Sequence, residues 1–262
     1  MKVNQKNVYI TGGNRGIGLA LAKELHSQGA IIHICCRNPD ESIKDNFVSD
    51  KERVFLKKLD LSSRENIDEF INAAKSGKWE IDILFNNAGL LTGGLLEEQN
   101  TQDIYQMFQV NIVGLVHLTK GLLPLLLQRP EAKIINNSSV SGIMFLPCAS
   151  TYAAAKAGVV ALTRSLDVEL KNTNVSTLVL ITPGIKTRMY DEIENKYGKN
   201  VDLSLMSYIS PEKYAKIVYK CILKNKKEYW PSGSAKLVLL LSVYCLWLFK
   251  IIAGSQFKRS PN

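Results

Sequence analysis

Residues 7–28 read NVYITGGNRGIGLALAKELHSQ, and the change of character along them decides the fold. Val8, Tyr9 and Ile10 form a short apolar run of strand type, and residues 16–28 carry apolar side chains at helical spacing. Between the two lies a glycine-rich turn, TGGNRGIG at positions 11–18. A strand that enters a helix through such a turn brings free backbone N–H groups and the positive end of a helix dipole to one point, where a pyrophosphate binds. Gly12 suits the tight turn, Gly16 the close approach of backbone to phosphate, and Gly18 the packing of helix on strand. Asn14, Arg15 and Ile17 complete the turn. An ordinary strand-to-helix junction has the same appearance, so the rest of the chain must choose between them.

The same alternation continues outward. Strand-like apolar runs occur at 31–36, 54–59, 81–85, 134–135 and 175–181, and helical spacing at 64–75, 102–128, 152–171 and 211–223. Strands alternating with helices build right-handed βαβ crossovers and a parallel sheet covered on both faces. The helix at 211–223 opens with Ser210 as N-cap and Pro211 in its first turn. Its apolar face of Tyr214, Ile217, Val218 and Cys221 lies opposite the solvated Lys213, Lys216 and Lys220. No repeat or linker divides the chain. Residues 1–233 are expected to form one α/β domain that binds a dinucleotide and carries the catalytic groups, and residues 234–262 an apolar, basic appendage.

The chain has 262 residues, 46% hydrophobic and 22% charged, which excludes disordered and collagen-like classes. Five cysteines without a C-x-x-C pair and three histidines without an H-E-x-x-H motif argue against a disulfide scaffold and the common zinc sites, so no metal is expected. Residues 2–7 are polar and run directly into the first strand, without the pattern of a secretory signal. A reducing, cytoplasmic location is expected. Lys and Arg number 33 against 24 Asp and Glu, a formal charge of +9. Such an excess suits nucleic acid, an anionic membrane or a phosphorylated ligand. From residue 229 to the end there are four basic residues and no acidic one, around an apolar run at 237–249. Membrane or phosphorylated ligand is therefore favoured over nucleic acid.

The end of the second strand addresses the ligand. A free ribose 2′-hydroxyl usually meets an acidic residue there, yet the chain has Cys36, Arg37 and Asn38, with the first acids at Asp40 and Glu41 beyond Pro39. Arg37, with Arg15, suits a 2′-phosphate through charge-assisted hydrogen bonds. NADP(H) is expected ahead of NAD(H).

Tyr152 and Lys156 are four residues apart in a helical stretch and share one face. Thirteen residues earlier Ser139 ends a strand, at the carboxyl edge where open α/β sheets bind ligands. A phenol, with a pKa near ~10, exchanges protons poorly at neutral pH unless a nearby ammonium favours its charged form. Lys156 can supply that charge, and Ser139 can hydrogen-bond a substrate oxygen as its charge changes.

Taken together, residues 11–18, Asp60 and Leu61, the run Asn86, Asn87, Ala88 and Gly89, Asn111, Ser139, Tyr152 with Lys156, and Pro183, Gly184 and Thr187 make the chain resemble the short-chain dehydrogenase/reductase family from about residue 7 to about residue 233. The resemblance implies a doubly wound Rossmann-type fold with a seven-stranded, mainly parallel sheet, and a catalytic tetrad of Asn111, Ser139, Tyr152 and Lys156. It implies Tyr152 as acid/base, Lys156 also on the nicotinamide ribose, Ser139 orienting the carbonyl, and Asn111 helping to hold a proton-relay water. Asp60 and Leu61 would meet the adenine, Asn87, Ala88 and Gly89 the adenosine side, and Pro183, Gly184 and Thr187 the nicotinamide. Asn86 reads as purely structural. The expected activity is hydride transfer between NADP(H) and a carbonyl or alcohol. The alternative is a catalytically silent NADP(H)-binding regulator or scaffold of the same fold.

Residues 90–96 and 143–146 and the loop 185–210, with Met189, Leu203, Leu205 and Met206, are apolar enough to wall in a hydrophobic ketone of lipid, steroid-like or 3-oxoacyl type. They are equally apolar enough to be core. The resemblance further implies a homodimer or homotetramer through the helices at 102–128 and 152–171, with Val110, Val113, Leu122 and Leu126 facing either the partner or the sheet. The segment 237–253, read as one helix, would be roughly 25 Å long, short of the ~30 Å hydrocarbon core. It is expected either to lie on a membrane, with Tyr244 and Trp247 at headgroup level, or to pack on its own domain or a partner subunit.

Overall fold

The computed structural model describes residues 1–47, 49–202 and 208–259. Strands β1 (Asn7–Thr11), β2 (Ile31–Cys36), β3 (Val54–Lys58), β4 (Ile83–Asn86), β5 (Ala132–Asn137) and β6 (Val175–Leu180) alternate with helices α1 (Gly16–Ser27), α2 (Arg64–Ser76), α3 (Thr101–Phe108), α4 (Gly114–Leu127) and α5 (Ser150–Glu169). There follow β7 (Gly184–Ile185), α6 (Arg188–Tyr197), β8 (Tyr208–Ile209), α7 (Pro211–Leu223), β9 (Glu228–Tyr229), α8 (Ser234–Tyr244) and α9 (Leu246–Ser255).

Seven strands pair in the order β3-β2-β1-β4-β5-β6-β9, every pairing parallel, while β7 and β8 form a separate two-stranded pair. The strand order reverses between β1 and β4, so their carboxyl ends open a crevice at the switch point. Period-2 alternation explains why these runs are almost wholly apolar: each face of the sheet is covered. Val8, Ile10, Ile32, Ile34, Ile83 and Phe85 pack under α1 and α7, whereas Tyr9, Leu84 and Ile134 pack under α2 and α4.

The expected seven-stranded Rossmann-type sheet is present. One strand is longer than its apolar residues suggested, because β5 continues through Asn136 and Asn137, whose buried amides find partners. The Asn136 amide donates to Thr163 Oγ1 at 2.9 Å and its Oδ1 accepts from Asn86 Nδ2 at 2.8 Å. Asn86 also donates to Thr119 Oγ1 at 3.0 Å, which makes it a structural clamp between β4, β5 and α4. Ser210 caps α7 through its Oγ, which accepts from Lys213 N at 3.2 Å.

One expectation for helices is refined and one corrected. The stretch 102–128 is helical throughout, Thr101–Leu127, with a π-helical turn at Gln109–Val113 between α3 and α4. Within it and α4, Leu122 and Leu126 are fully buried against the sheet and Val110 packs beside them, so only Val113 of the four points outward. The stretch 237–253 is two helices rather than one, broken at Cys245, whose backbone (φ −135°, ψ 58°) leaves the helical region. Their inner face lies on the domain: Leu239 packs with Val160, Val179 and Ile181, and the Phe249 ring meets the Phe145 ring edge-on at 5.2 Å. Beyond α9 the chain pairs with residues 200–202 through Lys258 N to Asn200 O (2.7 Å) and Asp202 N to Gln256 O (2.9 Å).

Candidate active site

The residues singled out from the sequence gather at the carboxyl ends of β1, β4, β5 and β6. Their common support is Asn137, the last residue of β5. Its backbone carbonyl accepts a hydrogen bond from Lys156 Nζ at 2.9 Å. Its Nδ2 donates to Asn87 Oδ1 at 3.1 Å, and its Oδ1 accepts from Thr182 Oγ1, which also meets the buried Tyr214 hydroxyl at 2.6 Å. Asn87 in turn donates from Nδ2 to the carbonyls of Thr11 (3.0 Å) and Gly12 (3.3 Å). An unbroken chain of bonds thus ties the lysine to the glycine turn. Thr11, Asn137, Thr182 and Tyr214 were not among the expected site residues, although Thr11 belongs to the quoted glycine turn, Thr182 precedes Pro183 and Asn137 stands two residues before Ser139.

Tyr152 and Lys156 lie on one face of α5, with Nζ 5.8 Å from the phenol ring centroid. Lys156 is buried, and desolvation pushes its ammonium pKa down to about 8. Tyr152 keeps some contact with solvent, but the surrounding protein pushes its phenol up to about 12, against the opposing pull of a hydrogen bond with Ser139. Burial is the largest cause of both shifts and works against the charged form of each group. Ser139 Oγ accepts from Ser141 N at 3.1 Å, which holds the hydroxyl at the mouth of β5.

Asn111 sits on the π-helical turn and is buried. Both ends of its amide clamp one residue: Nδ2 donates to Leu90 O at 2.9 Å and Oδ1 accepts from Leu90 N at 2.8 Å. π-turns inside α-helices are frequent at functional sites. The turn here aims Asn111 at Gly89, where an added Cβ would come within 3.2 Å of Oδ1 and 3.6 Å of Lys156 Nζ. Gly89 thus keeps open the space that Asn111 and Lys156 border.

The glycine turn has the shape expected of a phosphate cradle. Gly12 and Gly16 adopt φ of +64° and +54°, and a Cβ on Gly18 would lie 2.3 Å from the carbonyl oxygen of Gly12. Arg15 precedes α1 without a side-chain cap, and the first turn of α1 contains no acid, so its N–H groups face outward unneutralised. Arg15 and Arg37 are exposed and form no ion pair among the described residues. They sit at neighbouring strand ends, since Thr11 is in register with Cys35. Asn14 and Ile17 complete the turn, half-buried. Thr187, after β7, reaches back to within 3.4 Å of a Cβ placed on Gly16, which brings the segment of Pro183 and Gly184 to the same crevice.

Other expected contacts are already engaged in the fold. The Asp60 Oδ1 accepts from Ser62 N (2.9 Å) and Ser62 Oγ (2.6 Å), while Oδ2 has no hydrogen-bond partner among the described residues. Leu61 is buried in the core, with its carbonyl accepting from Gln109 Nε2. Ala88 offers its N–H to Thr11 Oγ1 at 3.0 Å.

Comparison with known proteins decides the family. The family model for short chain dehydrogenases matches residues 6–198. The chain belongs to the short-chain dehydrogenase/reductase family. An uncharacterized oxidoreductase of Staphylococcus epidermidis is 34% identical over 184 residues, 70% of this chain and 79% of that protein. A 3-oxoacyl-(acyl-carrier-protein) reductase of Haemophilus influenzae is 32% identical over 197 residues, covering 74% and 80%. In fold, a Burkholderia cenocepacia short chain dehydrogenase solved in complex with NADP superposes with a TM-score of 0.80 at 20% identity, over 97% of this chain and 99% of its own.

In this short-chain dehydrogenase several of the apolar residues expected to wall in a substrate pack into the fold. Leu91, Leu95 and Leu146 pack with Tyr197 of α6 and with Phe257, while Ile143 and Met144 pack with Leu239 of α8. Leu203, Leu205 and Met206 lie outside the described residues. Tyr197 escaped the sequence reading. It is buried, its hydroxyl donates to Thr92 O at 3.0 Å, and burial, with a smaller contribution from Tyr152, pushes its phenol pKa up. Its ring lies directly over Gly93, where an added Cβ would come to 1.7 Å of Cε1. No periodicity or motif marks that contact.

Proposed function

We propose that this short-chain dehydrogenase is an NADP(H)-dependent carbonyl reductase or alcohol dehydrogenase acting on an apolar ketone or the matching alcohol, of lipid, steroid-like or 3-oxoacyl type. The observation that carries the reading is the convergence of Asn111, Ser139, Tyr152 and Lys156 beside the glycine cradle. The cradle suits a dinucleotide, because three glycines leave room where side chains would collide and an uncapped helix N-terminus faces the gap. Arg37 and Arg15 would hold a 2′-phosphate; Gly12, Asn14, Gly16, Ile17 and Gly18 would surround the pyrophosphate. Asp60 through Oδ2, Leu61 and residues 87–89 would line the adenosine side, and Pro183, Gly184 and Thr187 the nicotinamide. NADP in the Burkholderia neighbour and the 3-oxoacyl reductase among the relatives support the cofactor and the substrate class.

When bound, the nicotinamide supplies or accepts the hydride. The protein's share is the proton. A phenol pushed up to about 12 is protonated throughout the neutral range, the form needed to donate in the reductive direction, and its transfer then depends on groups that stabilise the phenolate left behind. Ser139 would orient the substrate oxygen towards that phenol. Lys156, with its pKa near 8, remains mainly charged at pH 7 and opposes the charge left on the phenol once the proton has gone. Asn111 acts as a positioning residue, since its amide is occupied by Leu90; a relay water would meet its main chain.

The exposed Val113 and Val116 around α4 and Val168 on α5 suit pairing into a homodimer or homotetramer. Measuring NADPH consumption with a panel of apolar ketones tests the activity. Tyr152→Phe removes the acid and keeps the ring, so turnover should fall by about 10²–10⁴ while NADPH affinity stays the same. Retained turnover would refute the role of Tyr152. A silent regulator would bind NADPH and consume none with any carbonyl.

A further inference from the structure

Helices α8 and α9 turn only a narrow face inward. Leu239, Ser242 and Phe249 are buried, whereas Leu237 (70% exposed), Tyr244 (83%), Trp247 (66%) and Ile251 (61%) point away from the domain. Leu237 and Tyr244 are seven residues apart on α8, and Trp247 and Ile251 four apart on α9, so each pair shares one helix face. Soluble monomers rarely expose contiguous apolar surface of this kind without a use for it.

The charges around this face identify its partner. From residue 229 to the end the chain has Lys236, Lys250, Lys258 and Arg259 and no acid. Arg259 is paired with Glu97; the three lysines have no ion pair among the described residues. Beside α8 runs a groove of about 610 Å³, between Trp230, Lys226, Lys236 and Tyr244. Its one carboxylate, Glu228, is taken by Arg164 Nε at 2.7 Å and Trp230 Nε1 at 2.8 Å, so the two lysines keep their charge unopposed. A second copy docked about a twofold axis would set these cations against their own kind. Anionic headgroups satisfy them, and a Trp and a Tyr beside them suit the headgroup level.

We propose that α8 and α9 form an interfacial docking surface for an anionic phospholipid membrane. The helices lie in the plane of the interface, because their 11 and 10 residues reach only roughly 15–17 Å each against a ~30 Å hydrocarbon core. Their inward face rests on residues 143–145, so docking places that substrate-side loop about one helix diameter, ~10 Å, from lipid.

Co-flotation of the full chain with vesicles tests this. The chain should float with phosphatidylglycerol/phosphatidylcholine vesicles about tenfold more than with phosphatidylcholine alone, and less at about 0.5 M salt, where screening is strong. W247E/I251E should abolish flotation with the melting temperature unchanged, since both side chains face solvent. K236E/K250E should remove the preference for the anionic vesicles, and it serves alone if the first variant proves less stable. NADPH turnover of a water-soluble ketone should be the same in all three proteins, so binding is read independently of the reductase activity. The proposal is overturned if the full chain floats with neither vesicle, if both variants float like the parent, or if W247E/I251E instead dissociates an oligomer in sedimentation while vesicles fail to bind.

Discussion

A single methyl group at position 93 should open the substrate side without touching a catalytic atom. In Gly93→Ala the new Cβ would lie 1.7 Å from Tyr197 Cε1 and 2.7 Å from Cδ1 and Cζ. The ring cannot shift in place, because it is buried and its hydroxyl is bound to the Thr92 carbonyl. It must leave, and with it go about 2 kcal/mol of aromatic burial and about 1 kcal/mol of hydrogen bonding. Roughly 3 kcal/mol corresponds to about two orders of magnitude in the equilibrium that docks α6 over the site. Hydrogen exchange should show α6 amides losing protection while those of β1, β4 and β5 keep theirs. The KM for an apolar ketone should rise more than kcat falls. Tyr197→Ala should reproduce both effects, and Gly93→Ala on top of it should add nothing, because the ring it strikes is gone. If the methyl is equally harmful with and without the Tyr197 ring, the contact with that ring is not what Gly93 serves.

Two further outcomes follow from groups just beyond the end of the second strand and in its middle. Arg37→Asp should weaken NADPH binding and improve NADH binding relative to it, because a cation for the 2′-phosphate becomes an acceptor for the 2′-hydroxyl; fluorescence titration of both cofactors with both proteins reads the change, and an unaltered preference would move the 2′-phosphate elsewhere. His33 is stacked between Tyr9 (4.0 Å) and Phe55 (5.1 Å), bonds Asn7 Oδ1 through Nε2, and has its pKa pushed down to about 3 by burial. Above the ordinary histidine value near ~6.5 it is neutral in both states; below it the unfolded chain gains a proton that the folded chain refuses, so stability falls by up to ~1.4 kcal/mol per pH unit on the way to about 3. His33→Phe should flatten that acid limb in thermal melts between about pH 6.5 and 4, and an unchanged limb would show that other groups set it.

The residues that announced the fold did so through local chemistry. A glycine turn between an apolar run and a helical pattern marks strand, turn and helix locally, while its reading as a phosphate cradle needed the rest of the chain; Tyr152 with Lys156 declare a shared face by spacing alone. The same locality sets the boundary of what could be read. Asn136 and Asn137 look like a loop in sequence, because the partners that make them tolerable inside β5 lie at Thr163, Asn86 and Asn87, far away along the chain. The π-helical turn at Asn111 has no composition of its own.

By itself the sequence determined the alternation of strand and helix, the glycine turn, and Ser139, Tyr152 and Lys156, since each depends on periodicity or on a side chain's intrinsic reactivity, while Asn111 entered only through the family resemblance. Only the tertiary structure decided how those groups are tuned and enclosed. Desolvation, which is a sum over neighbours from every part of the chain, lowers Lys156 and raises Tyr152. The contact between Gly93 and Tyr197, and the choice of which face of α8 and α9 turns inward, likewise depend on surfaces meeting across the fold. An apolar run states that it avoids water; what it packs against is fixed only when the rest of the chain has taken its place.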